Sequence, residues 1–320
     1  MRLDLASIQS TLCASYGIHA VSVTPVKGGF SAKAFRIEDR NNAAYFLKVY
    51  DQSLPTTRPF VERIEAYMPA LGFLAANPAL KGRVLTPIPT LNGDYKAKTG
   101  GSVFVLFHYI HGETPGIEDI TSPQTAELAE TLAILHSARL PFATPDSDLA
   151  EDITLPFLGR LTRYLDELNA EDDALACIVR PQADLLRTAI TEAVRLRDTV
   201  RLNFGPLVLC HGDAHGNNVI QSGRLVLVDW EGLHWAPAEA DLFIYDWHPH
   251  GSVFLETYAA ARNGFELNRE LLRFYVLRRR LEDIWVDIQR LTEESSDETE
   301  TAKLLDWVRR GIAEVERVMR

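Results

Sequence analysis

Cysteine is scarce. Cys13, Cys177 and Cys210 are far apart, odd in number and never in a C-x-x-C arrangement. That excludes a disulfide framework and a thiolate zinc site, and it fits a reducing compartment. Long apolar runs are missing too, so no segment has the roughly 20 apolar residues that a membrane-spanning helix requires. Met1-Arg2-Leu3-Asp4 opens without the apolar stretch of a signal peptide, and the expected location is cytoplasmic. Positive charge is in deficit: 33 Lys and Arg stand against 44 Asp and Glu, a net charge of −11. Such a surface repels nucleic acid and anionic lipid and favours cationic ligands, although acidity that merely aids solubility is the default reading of charge alone. Repeats and low-complexity tracts are absent. What is present is 320 residues with 46% apolar content, enough for two lobes with a large core. Monomer and homodimer are both open.

The densest chemistry lies in residues 208–232, V-L-C-H-G-D-A-H-G-N-N-V-I-Q-S-G-R-L-V-L-V-D-W-E-G. His211 and Asp213 form an H-x-D pair, Asn218 follows, and Asp229 comes after two short apolar runs. Those runs, Val219-Ile220-Gln221 and Leu225-Val226-Leu227-Val228, flank Ser222-Gly223, a tight-turn signal. Folding there returns the chain and brings Asn218 and Asp229 to one edge. A carboxylate at Asp213 can orient an attacking hydroxyl and take its proton. An amide oxygen and a second carboxylate can hold magnesium against nucleotide phosphates. An ordinary surface hairpin is the plain alternative, and it leaves the coincidence of four residue types at fixed offsets unexplained.

His211-Gly212-Asp213-Ala214-His215-Gly216-Asn217-Asn218 resembles the H-G-D-x-H-x-x-N catalytic loop of the aminoglycoside phosphotransferase and choline-kinase-like family. Glycine stands at 212 where protein kinases carry arginine, and Asp229-Trp230-Glu231 stands in place of D-F-G. Ala236-Pro237-Ala238-Glu239-Ala240-Asp241-Leu242 is similar to the small-molecule branch, with its Asp-Leu pair about a dozen residues beyond the metal loop. The combination with the R-R-R-L-E-D-I stretch is most similar to the spectinomycin phosphotransferase branch.

The resemblance implies an α+β, two-lobed protein-kinase-like fold. A small five-stranded antiparallel N-lobe (1–106) binds nucleotide, a hinge spans 107–112, and a mainly helical C-lobe (113–320) carries the catalytic loop and acceptor site. It implies Asp213 as catalytic base or hydroxyl orienter, Asn218 and Asp229 as magnesium ligands, and ATP or GTP as donor. Lys48, in the apolar run Ala44–Tyr50, would contact the α- and β-phosphates and pair with a glutamate of the next helix, Arg58–Leu74. Glu65 is preferred there and Glu62 stays open. Gly28, Gly29 and Ser31 form a glycine turn that would lay backbone N–H groups over phosphates. Phe107, Tyr109 and Ile110 would line the purine. His211, His215 and Asp241 would support the loop, while His136, in the L-x-x-L-H helix, is assigned no chemistry.

The remaining chain reads as helices. Leu3–Tyr16 ends at Gly17, and Ser122-Pro123 marks a helix start. Leu155–Leu168 and Gln182–Leu202 flank an acidic turn, Glu171-Asp172-Asp173. Asn268–Leu291 carries Arg278-Arg279-Arg280 followed by Asp283 and Asp287, an i, i+4 carboxylate pair. A polar loop over 293–300 then precedes a helix over 306–319. Asp283, Asp287 and Glu231 are candidates to hold ammonium groups of an acceptor, with a solvated face or salt bridges as the default for such charges. The expected activity is O-phosphorylation of a small, cationic hydroxyl compound of the aminoglycoside or aminocyclitol kind. The alternatives are a metabolic kinase of choline, methylthioribose or homoserine type, or an inactive nucleotide-binding module.

Overall fold

The computed structural model describes residues 4–26, 32–145, 147–168, 173–201, 205–294 and 297–320. The first helix, α1 (Leu5–Tyr16), starts on Asp4, whose side chain accepts the Ser7 amide at 2.7 Å, and stops at Gly17 with φ +69°. Strands β1 (Ala20–Val26), β2 (Lys33–Asp39) and β3 (Ala44–Asp51) form a meander. Helix α2 (Arg58–Ala76) follows, then β4 (Pro87–Ile88), β5 (Ala97–Thr99) and β6 (Ser102–His108). The sheet is antiparallel with order β1-β2-β3-β6-β4, and β5 also pairs β6. Among the described residues it has six strands, not the five expected. The extra pieces are the two-residue β4 and three-residue β5, too short to show a period-2 pattern.

Alternation along β3 and β6 divides the sheet into two faces. Leu47 and Val49, opposite Leu106 and Phe104, pack with Phe35 and Ile37 under Ile8, Leu12 and Tyr16 of α1. The other face carries Lys48 opposite Val105 and Phe46 opposite Phe107. Tyr50, Val103, Val105 and Phe107 on that face join the main core with α2 and the helical region. Lys48 is therefore a charge on an inward face, which needs a partner.

The helical region begins with α3 (Ser122–Ser137). Its cap is Thr121, one residue before the expected Ser122, because Gln124 closes a reciprocal capping box on it. Then come α4 (Pro156–Asp166), α5 (Ala174–Val179) and α6 (Ala183–Arg201). Glu171 and Asp172 of the expected acidic turn, and the expected helix end Leu202, lie outside the described residues; Asp173 caps α5 by accepting the Ala176 amide at 2.6 Å. Next are β7 (Val208–Cys210), β8 (Val219–Ser222), β9 (Arg224–Leu227) and β10 (His234–Ala236). Finally come α7 (Glu239–Leu242), α8 (Gly251–Ala261), α9 (Arg269–Glu293) and α10 (Glu298–Met319). The last helix starts eight residues earlier than expected. Asp297 accepts the Glu300 amide at 2.9 Å, and Glu298 and Glu300 in the first turn suit the positive helix end. Acidity there is a helix-start signal, not a loop. Among the described residues no helix is long and apolar enough to cross a membrane.

Candidate active site

Helix α7 and helix α3 fix the loop after β7. Asp241, fully buried, accepts the His211 amide at 2.8 Å and the Gly212 amide at 2.6 Å. Its Oδ2 also meets His136 Nε2 at 2.9 Å, and His136 Nδ1 meets the Tyr258 hydroxyl at 2.6 Å. Burial alone would raise the Asp241 pKa; the bond and charge of His136 bring it below the ordinary carboxylate value. An ionised Asp241 thus holds two successive backbone N–H groups. His211 has no solvent exposure and lies edge-on to Trp230 with ring centroids 4.7 Å apart. Burial pushes its pKa down, so the ring is neutral, donating from Nε2 to the Val228 carbonyl (2.9 Å) and accepting the Asp213 amide at Nδ1 (3.3 Å). Gly212 has φ +85°, and a Cβ there would stand 2.8 Å from the Gly232 carbonyl oxygen, so no side chain fits.

The hairpin β8–β9 turns at Gly223 with φ +75°, and Val219 faces Leu227. The Val228 amide donates to the Asn218 carbonyl at 2.9 Å, which sets Asn218 beside the segment that leads into Asp229. Asn218 is buried; its Nδ2 donates to the Asp213 carbonyl and to Asp213 Oδ2, both at 2.8 Å. Both partners are acceptors, so the amide orientation is fixed and its oxygen is left for another group. Asp229 sits in the left-handed region at φ +62°, a conformation that concentrates at functional sites. One of its oxygens takes Lys48 Nζ at 2.8 Å. Two hard oxygen donors on one hairpin end fit a magnesium ion, which binds few protein carboxylates and keeps phosphate oxygens and water.

Lys48 reaches from β3 to this edge. Its partners are Asp229 and Glu231 (2.5 Å), and Glu231 also accepts the Tyr50 hydroxyl at 2.6 Å. Burial alone would lower the Lys48 pKa, but the two carboxylates hold it above its ordinary value. This corrects two expectations. Glu65 does not hold Lys48: it pairs with Lys96 at 2.6 Å and its side chain is 76% exposed. The buried stripe of α2 is Val61, Ile64, Tyr67, Met68, Leu71 and Leu74, and Glu62 and Glu65 both fall outside it. Glu231 is not free for an acceptor ammonium, because it is 7% exposed and taken by Lys48 and Tyr50.

Asp213 presents both oxygens to neighbours. Oδ1 lies 3.3 Å from His215 Nε2 and 3.1 Å from Arg279 Nη2, while Oδ2 takes Asn218. Burial alone would raise its pKa; Arg279 first and His215 second hold it well below the usual carboxylate range. Asp283 is likewise engaged, by Arg279 Nε at 2.8 Å, so it is not an open ammonium seat. Asp287 is 7% exposed, and burial, then the charge of Asp283, pushes its pKa up to about 7. Arg279 and Glu151 are sites the sequence did not reveal. Glu151 holds Arg278 and the Tyr275 hydroxyl (2.6 Å), and it precedes α4 in a segment without any periodic signal.

Of the expected purine contacts, Phe107 is buried on the Lys48 face beside Phe46, with centroids 6.5 Å apart. Ile110 packs on the main core, and Tyr109 lies under the Arg36 guanidinium at 5.1 Å. Gly28, Gly29 and Ser31 lie outside the described residues.

A small antiparallel sheet joined to a helical region, with this loop and hairpin at the junction, is the architecture of kinase-like phosphotransferases. The sequence matches the phosphotransferase enzyme family over residues 22–275, and the chain belongs to that family. Protein StrN of Streptomyces griseus is 28% identical over 217 residues, covering 64% of this chain; the match spans 63% of that relative's own length. A spectinomycin phosphotransferase solved with ADP and spectinomycin superposes with a TM-score of 0.74 at 16% identity, covering 100% of this chain and 99% of that one. An ethanolamine kinase of Plasmodium vivax gives 0.62 at 18% identity, covering 93% and 82%. At such identities the structural likeness establishes the fold.

Proposed function

We propose that the chain transfers the γ-phosphoryl group of ATP or GTP to a hydroxyl of a small molecule. The observation that carries this reading is the meeting of Lys48, Asp213, Asn218 and Asp229 at one edge between sheet and helices. Asp213 orients the acceptor hydroxyl and takes its proton. Asn218 and Asp229 would hold magnesium, which neutralises phosphate charge when bound. Lys48, kept cationic by Glu231, is directed at the α- and β-phosphates. The nucleotide would lie between residues 1–106 and 113–320, its base against the 107–112 segment. Little covalent work is asked of the protein, since positioning and charge supply most of the acceleration.

The acceptor is an amino-bearing alcohol in this reading, of aminoglycoside or aminocyclitol type. The net charge of −11 supports a cation. The names of two fold neighbours, a spectinomycin phosphotransferase and an ethanolamine kinase, agree with that class. The test is a phosphotransfer screen of aminocyclitols, amino alcohols and neutral alcohols with both nucleotides and magnesium, run beside Asp213→Ala. Transfer to an amine-bearing alcohol, abolished by Asp213→Ala while nucleotide still binds, is the expected result. Unchanged turnover in that variant sinks the assignment of Asp213, and transfer confined to neutral alcohols sinks the cationic acceptor.

A further inference from the structure

Three successive arginines on α9 go to three different places. Arg278 is held by the buried Glu151. Arg280 reaches Glu314 at 2.8 Å, lies over Trp247, 4.8 Å from the ring centroid, and comes within 3.7 Å of Asp283. Arg279 alone turns to the catalytic loop, bridging Asp213 Oδ1 at 3.1 Å and Asp283 Oδ1 at 2.8 Å. The other two groups on the Asp213 carboxylate, Asn218 and His215, belong to the same loop and travel with it. Arg279 comes from a separate element, and its side chain is 34% exposed. Among the described residues it is the contact on Asp213 that comes from outside the loop. Asp283 stands one turn further along α9 (i, i+4) and gives the guanidinium a second anchor.

Of the two Asp213 oxygens, Oδ2 takes Asn218 of the same loop, and Oδ1 is the one approached from another element. The guanidinium of Arg279 stands on that oxygen.

We propose that Arg279 is a latch on Asp213: it covers Oδ1 until an acceptor enters, then withdraws onto Asp283. Arg279 is a positioning residue, and this assignment rests on the phosphotransferase reading above. The latch keeps water from serving as acceptor. In that unwanted reaction the water oxygen bonds the γ-phosphorus and the bond to the β,γ-bridging oxygen breaks. The nucleoside diphosphate leaves with those electrons, and the water proton passes to Asp213 and on to solvent.

The experiment measures phosphate release from magnesium ATP and magnesium GTP without any acceptor, together with nucleotide affinity by calorimetry. Arg279→Gln should raise the hydrolysis rate about tenfold, roughly the loss of one charge-assisted contact on Asp213, with nucleotide Kd within about twofold of the parent. Arg279→Lys, which cannot bridge both carboxylates, should give a smaller rise and serves if the glutamine variant does not fold. Asp283→Asn removes the withdrawal anchor and should lower hydrolysis, but only while Arg279 is present; in the Arg279→Gln background it should change nothing. Hydrolysis unchanged or reduced in both Arg279 variants, with nucleotide still bound, overturns the latch. So does an equal effect of Asp283→Asn in both backgrounds. A parent chain that binds neither nucleotide overturns the phosphotransferase reading, and the latch with it.

Discussion

Replacing Glu231 by glutamine tests which carboxylate holds Lys48. The change keeps the side chain's size but removes one of the two charges around a buried ammonium, and it weakens the Tyr50 hydroxyl's acceptor. Breaking a buried pair by deleting one partner costs roughly 3–5 kcal/mol. Here Asp229 remains as a counter-ion, and the glutamine carbonyl still accepts from Tyr50, so the expected loss is roughly half that, about 2 kcal/mol. For a chain of 320 residues that lowers Tm by about 3 °C. The functional loss is larger, because Lys48 then leans wholly on Asp229 and competes with the metal for it. A fall of at least about tenfold in kcat/KM, with a raised magnesium requirement, is expected. The control is Glu65→Gln. Its carboxylate stands largely exposed where it meets Lys96, and such half-solvated pairs contribute under about 1 kcal/mol, so both Tm and kcat/KM should stay near the parent's. Differential scanning calorimetry and steady-state phosphotransfer on the two variants decide the matter. A harmful Glu65→Gln beside a neutral Glu231→Gln would refute the pairing.

Asp287 carries a pH signature. Its folded pKa, pushed up to about 7, exceeds the unfolded value, so the neutral acid is the favoured folded form and stability falls as pH rises through about 7. Asp287→Asn should match the parent's Tm near pH 4 and exceed it at pH 8 by the equivalent of roughly 2–4 kcal/mol, and parallel Tm curves across that range would refute this. Gly212→Ala forces a Cβ against the Gly232 carbonyl at a positive φ and should cost at least about 1–2 kcal/mol, with loss of turnover. Chelating magnesium should abolish transfer and weaken nucleotide binding, and Asn218→Leu should reproduce the loss of transfer with added metal unable to restore it, as measured by phosphotransfer titrated with magnesium.

The hairpin and its flanking ligands were legible because every requirement there is local. Ser222-Gly223 sets the turn, period-2 apolar runs set the strands, and the offsets from Asp213 to Asn218 to Asp229 follow from them. Sheet faces were legible for the same reason, since Lys48 in an apolar strand needed a buried partner. The identity of that partner was not, because it depends on which helix face turns inward. The i, i+3 spacing of Glu62 and Glu65 put them on one face, but the stripe of Val61, Ile64, Met68 and Leu71 already assigned the inward face to other residues. Weighing the apolar stripe before the charge pair would have turned both glutamates to solvent. It would also have left Glu231, two residues beyond Asp229, as the available carboxylate. Arg279 was harder. Three adjacent arginines on a helix project about 100° apart, so at most one can face any given site. Choosing among them requires knowing that Glu151 holds Arg278 and that Trp247 and Glu314 hold Arg280, contacts that span long stretches of sequence. Elements whose geometry is fixed within a dozen residues reveal their chemistry in the sequence, whereas partners chosen by packing between distant elements do so only once the inward faces are known.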